Sequence, residues 1–150
     1  MRSYHSYSSN DTRRLGGDVA KILAGHRGRA ALVVALQGDL GAGKTTFVQG
    51  FLKGLRIKKR ATSPTFVIMR RYKIPHVQRV AHHAYLHHMD AYRLRKPDDV
   101  TLLGFEKILA DPRSILLVEW PENIKGALPR GAVKIKFKYG KKENERIIQL

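Results

Sequence analysis

Gly38-Asp39-Leu40-Gly41-Ala42-Gly43-Lys44-Thr45 is a complete G-x-x-x-x-G-K-[ST] pattern. Such a stretch suits a phosphate chain. Its glycines let backbone N–H groups converge with no Cβ in the way. Lys44 brings a mobile ammonium towards β- and γ-phosphates, and the Thr45 hydroxyl is placed to ligate Mg²⁺. ATP and Mg²⁺ are the expected ligands. A second chemical feature stands far along the chain. Glu119 follows the apolar run Ile115-Leu116-Leu117-Val118, so a buried strand delivers a carboxylate at its C-terminal end. Open α/β sheets bind ligands at that end of their strands.

The flanks of the glycine-rich stretch match the elements it needs. Leu32-Val33-Val34-Ala35-Leu36 is apolar without alternation, as in a strand buried on both faces. Beyond the loop, Val48, Phe51, Leu52 and Leu55 recur with helical spacing. The loop is thus expected between a strand and a helix N-terminus, where the dipole favours an anion. Upstream, Ser9-Asn10-Asp11 supplies capping side chains, and Leu15, Val19, Ile22 and Leu23 mark one face of a helix that stops near Gly25. Downstream, Phe66-Val67-Ile68 starts a strand. A second strand runs from about Val80 to Met89, and Ile74-Pro75-His76 turns between them. An antiparallel pair is expected there, mixing an otherwise parallel sheet. Short helices are expected over 100–103 and 105–110. The fold class is α/β: a phosphate-loop, mixed sheet with a parallel core, flanked by helices, in one domain spanning 1–150.

The chain has 29 Lys plus Arg against 12 Asp plus Glu, a net charge of +17. That balance favours polyanions, nucleic acid first among them. There is no cysteine, which excludes disulfides and thiolate chemistry. No apolar run spans a bilayer, and Met1 to Asn10 is polar, so no membrane partner and a cytoplasmic protein are expected. Two basic stretches stand out. Arg56-Ile57-Lys58-Lys59-Arg60 reads as a solvated helix end, with a phosphate-backbone contact as the alternative. In the C-terminal hairpin, Val133, Ile135, Phe137 and Tyr139 alternate with Lys134, Lys136 and Lys138. One face of that strand is core. The lysine face discourages edge-to-edge pairing or meets a polyanion. His82, His83, His87 and His88 cluster near the second strand, but no recognised zinc spacing accompanies them.

Four segments stand in the order and spacing of one known family. They are Gly38 to Thr46, Ser63-Pro64-Thr65-Phe66, His88-Met89-Asp90-Ala91-Tyr92-Arg93-Leu94 and Glu119-Trp120-Pro121-Glu122. Together they resemble TsaE, the bacterial ATPase of tRNA threonylcarbamoyladenosine biosynthesis, over essentially the whole chain. The resemblance implies ATP hydrolysis that resets a TsaB–TsaD complex, which modifies adenosine 37 of tRNA. It implies nucleotide contacts from the loop residues Gly38 to Thr46, with Thr12 and Trp120, and metal contacts from Thr45 and Glu119. Lys44, Asp90 and Glu119 become the catalytic set, and the sequence leaves open which of the two carboxylates touches Mg²⁺ directly and which activates the attacking water. Ser63 to Phe66 resembles a first switch, and the segment from Asp90, with Tyr92 and Arg93, a second. Met89 stands where the family usually has an aromatic. The high positive charge leaves room for an added tRNA contact.

Other functions share parts of this pattern. A nucleoside or small-molecule kinase has the same loop but needs an acceptor pocket and a lid, and the stretch from Lys96 to Pro112 is short for both. No Asn-Lys-x-Asp guanine reader is present, which disfavours a GTPase. A basic RNA-binding module with a vestigial nucleotide site would show RNA affinity and no hydrolysis.

Overall fold

Two uninterrupted apolar runs set the centre of the molecule. In the computed structural model, which describes residues 2–59, 68–75 and 83–150, they are β2 (Leu32–Gln37) and β5 (Ser114–Glu119). Both are buried along nearly their whole length. Strands covered on both faces have no polar side to alternate, hence the continuous apolar sequence. The other strands are β1 (Ser3–Ser6), β3 (Met69–Lys73), β4 (Tyr85–Asp90), β6 (Val133–Tyr139) and β7 (Arg146–Gln149). The helices are α1 (Ser9–Ala24), α2 (Lys44–Gly54) and α3 (Phe105–Ala110). Two 3-10 helices cover Pro97–Leu103 and Pro121–Ala127.

The sheet order is β1-β7-β6-β2-β5-β4-β3. Strands β6, β2, β5 and β4 run parallel. Antiparallel partners close both sides: β7 and β1 beyond β6, and β3 beyond β4. The mixed sheet and the β3–β4 pair are as expected. Residues 66, 67 and 80–82, which the sequence pattern adds to those strands, lie outside the described residues, as does His76 of the turn.

Helices α1 and α2 cover one face, packing Val19, Phe47, Phe51 and Leu52 onto Val34, Leu36 and Leu117. Each such buried side chain is worth roughly 1.5–3 kcal/mol. Helix α3 and the 3-10 segments cover the other, through Phe105 and Ile124 against Val33, Leu116 and Val118. The α1–α2 contact is made backbone to backbone. A Cβ at Gly50 would lie 1.9 Å from the Arg13 carbonyl oxygen, so no other residue fits there.

Several expectations need correction. The cap of α1 is Ser8, one residue earlier than expected; its Oγ accepts from the Asp11 amide at 3.1 Å. Ile22 is 75% exposed, because the buried stripe of α1 runs instead through Thr12, Gly16, Val19 and Ala20. The segment over 100–103 is part of a 3-10 helix that starts at Pro97, not an α-helix. The polar N-terminus forms β1, paired with β7. Most important, β6 lies between β7 and β2, so its lysines do not guard a sheet edge.

Candidate functional site

The loop from Gly38 to Gly43 leaves β2 and turns directly into α2. Gly43 caps the helix at φ 100°, a left-handed conformation that glycine adopts without strain. The turn sends Lys44 back across the loop. Its Nζ donates to the carbonyl of Gly38 at 2.5 Å and of Asp39 at 2.9 Å, and lies 4.1 Å from the Trp120 ring centroid. The side chain is 5% exposed. Burial pushes the Lys44 pKa below its ordinary value; Glu119, Glu122, Asp90 and Asp39 pull it back up.

The carboxylates arrive on neighbouring parallel strands. Asp90 ends β4 and Glu119 ends β5, and the two are register partners. Both are buried, at 5% and 3% exposure. Thr45 Oγ1 donates to Glu119 at 3.1 and 3.3 Å, which brings the first turn of α2 onto the end of β5. The Asp90 carboxylate accepts from the Tyr92 amide at 3.0 Å. Asn123 Nδ2 donates to the Ala91 and Tyr92 carbonyls, tying the turns after β4 and β5 together. Trp120 takes a left-handed backbone, φ 57° and ψ 50°, and its ring lies 5.1 Å from that of Tyr92. Such strain concentrates at functional sites.

Lys44, Thr45, Asp90, Glu119, Tyr92 and Trp120 line one cavity of about 260 Å³, with Leu40, Gly41, Gly43 and Thr46 at its loop side. The other expected site residues lie around it. Gly38 and Asp39 meet Lys44 through their carbonyls. Ala42 is buried within the loop. Thr12 stands behind Gly43, its hydroxyl paired with Ser6 at 2.7 Å. Arg93 does not line the cavity. Ser63, Pro64, Thr65 and Phe66 lie outside the described residues.

Two features escape sequence reasoning. His88 Nε2 donates to Glu119 Oε1 at 2.7 Å, with the ring fully buried and Nδ1 left without a partner. The histidine on β4 thus holds the carboxylate on β5. Its neighbour His87 turns to Ser114, and burial pushes its pKa down. Among the described residues no group of three His, Cys, Asp or Glu is placed to hold a metal; His82 lies outside them. The second missed feature is the hairpin. Tyr139 Oη donates to the Leu40 carbonyl, Arg146 Nη2 to the Gly41 carbonyl at 3.3 Å, and the Arg146 guanidinium covers the Tyr139 ring.

The Thr45 hydroxyl and the Glu119 carboxylate form a pair of hard oxygen donors. That chemistry fits Mg²⁺, which takes one or two protein oxygens and fills its shell with water and phosphate.

Fold and site together define a class: an α/β domain whose glycine-rich loop and carboxylates meet at the C-terminal ends of parallel strands. The model of the family of threonylcarbamoyl adenosine biosynthesis protein TsaE matches residues 6–148. The chain belongs to the TsaE family, whose role is in the biosynthesis of threonylcarbamoyladenosine in tRNA. Among its relatives is the TsaE of Treponema pallidum, 35% identical over 133 residues, covering 89% of this chain and 88% of the relative. The TsaE of Haemophilus influenzae is 33% identical over 126 residues, covering 84% and 75%. A solved structure, YdiB of Bacillus subtilis, superposes with a TM-score of 0.74 at 28% identity, covering 98% of this chain and 82% of that one. Among the described residues no helix is long and apolar enough to cross a membrane.

Proposed function

We propose that the chain binds ATP with Mg²⁺ and hydrolyses it to support turnover of TsaD and TsaB homologues in tRNA modification. One observation carries this reading: the loop lysine, the Thr45 hydroxyl and the strand-end carboxylates Asp90 and Glu119 border one cavity. Phosphoryl transfer to water needs positioning and charge neutralisation more than covalent chemistry. Lys44 and the loop amides face the phosphate oxygens and offset the charge that develops there. Thr45 and Glu119 would hold Mg²⁺, which neutralises phosphate charge when bound. Asp90, held by the Tyr92 amide, accepts a proton from the attacking water. His88 keeps Glu119 pointed at Thr45. Trp120 and Tyr92 flank the cavity. Among the described residues no arginine lines the cavity, so hydrolysis by the chain alone is expected to be slow. The test is ATP turnover by the purified protein with and without its TsaB and TsaD counterparts. Stimulation by both supports the reading, and no turnover in any combination refutes it.

A further inference from the structure

A larger cavity, of about 500 Å³, lies on the far side of the turn that carries Trp120. Its walls come from the 3-10 helix Pro121–Ala127, the segment leading into β6, and the open faces of β2 and β6. Lys125, Arg130, Lys134 and Lys136 line it, against one carboxylate, Glu122. The ion pairs among the described residues use other side chains. Four cations around one concave space repel each other, and Lys136 is half-buried there. An anion entering the cleft relieves that repulsion.

We propose that this cleft binds the phosphodiester backbone of RNA. Three observations select that occupant. First, β6 is an interior strand, so edge protection does not explain its lysines. Second, Lys134 and Lys136 stand two residues apart on one sheet face, opposite Ala35 and Gln37. That puts them about 6.6 Å apart along the strand, comparable to successive phosphates of a nucleic-acid strand. Third, among the described residues no aromatic side chain lines the cleft, so it offers charge without a stacking platform for bases. It therefore reads backbone rather than sequence. The net charge of +17 draws a polyanion towards it, and the family acts in tRNA modification.

The test is fluorescence anisotropy with a labelled, unmodified tRNA transcript across a salt series. The double variant Lys134→Glu/Lys136→Glu is compared with Lys58→Glu/Lys59→Glu, an equal charge change at two exposed residues that follow α2, which ends at Gly54. The cleft variant should lose about tenfold or more in affinity at low salt, and its salt slope should fall by about 2. The Lys58→Glu/Lys59→Glu variant should lose much less. The milder Lys134→Gln/Lys136→Gln should show the same order of effects if charge reversal unfolds β6. Equal losses in the two double variants would reduce the cleft to general surface charge and overturn the proposal. So would intact RNA binding with lost response to partner proteins, which would make the cleft a contact for an acidic protein. ATP turnover by the cleft variant without RNA should match wild type. A wild type with no turnover would count against the nucleotide site and leave this test unaffected.

Discussion

Two cavities share the turn from Trp120 to Glu122, and they treat positive charge in opposite ways. In the loop site a single buried lysine faces carboxylates from β4 and β5. In the cleft beside β6, four cations face one carboxylate. The first arrangement is directional. Its lysine and loop amides suit an anion from fixed places, and its hydroxyl and carboxylates suit a metal ion. The second is a sum of mobile point charges. It attracts phosphate without orienting it, and salt screens it. The difference teaches that net charge says little about the loop site, whose neighbourhood is acidic.

The contrast is broken most severely by removing the one lysine. Lys44→Ala should lower ATP turnover about 10³-fold, while tRNA anisotropy should stay near wild type. Equal loss of both would merge the two cavities into one site. Next in size, Asp90→Ala should retain ATP binding in a fluorescent-nucleotide titration and lose about 10²-fold in single-turnover hydrolysis. A large loss of affinity would make Asp90 a binding residue instead.

A subtler break uses the histidine. His88→Ala leaves Glu119 buried with one fewer donor. The Mg²⁺ concentration needed for half-maximal hydrolysis should rise about tenfold, and His88→Gln should recover part of it. An unchanged Mg²⁺ requirement would confine His88 to packing. The smallest effect is in pH. Burial lowers the pKa of Lys44 in the free protein, and bound phosphate would raise it. The complex then keeps a proton that the free protein loses first. ATP binding should take up a proton in the alkaline range, and affinity should decline as pH rises there, by at most tenfold per pH unit. Calorimetry in buffers of different ionisation enthalpy reads this directly.

The loop site was legible because its signals are local. The run from Leu32 to Leu36, the glycine-rich turn and the spacing of Val48, Phe51, Leu52 and Leu55 sit side by side in the chain. The pairing of Asp90 with Glu119 was harder. Each strand end could be read, but only parallel register makes them neighbours. The bond from His88 to Glu119 had no local signal, since it spans two strands and the histidines read as ordinary strand residues. Strand β1 was missed because a short polar segment becomes a strand only when β7 offers a partner. Ile22 was misassigned because glycine and alanine, not large apolar residues, form the stripe that meets α2. The lysines of β6 could be placed on one face by alternation, but only the sheet order shows that the strand is interior.

The central claim is that the start of α2 and the end of β5 act on one metal-bound nucleotide. Titration of ATP into wild type and Glu119→Gln, each with and without Mg²⁺, tests it most directly. The substitution keeps the shape of the side chain and removes its charge. Wild type should bind one ATP per chain, more tightly with Mg²⁺, and Glu119→Gln should lose that Mg²⁺ enhancement while keeping metal-free binding. Identical Mg²⁺ enhancement in the two proteins, or no ATP binding by wild type, would contradict the account.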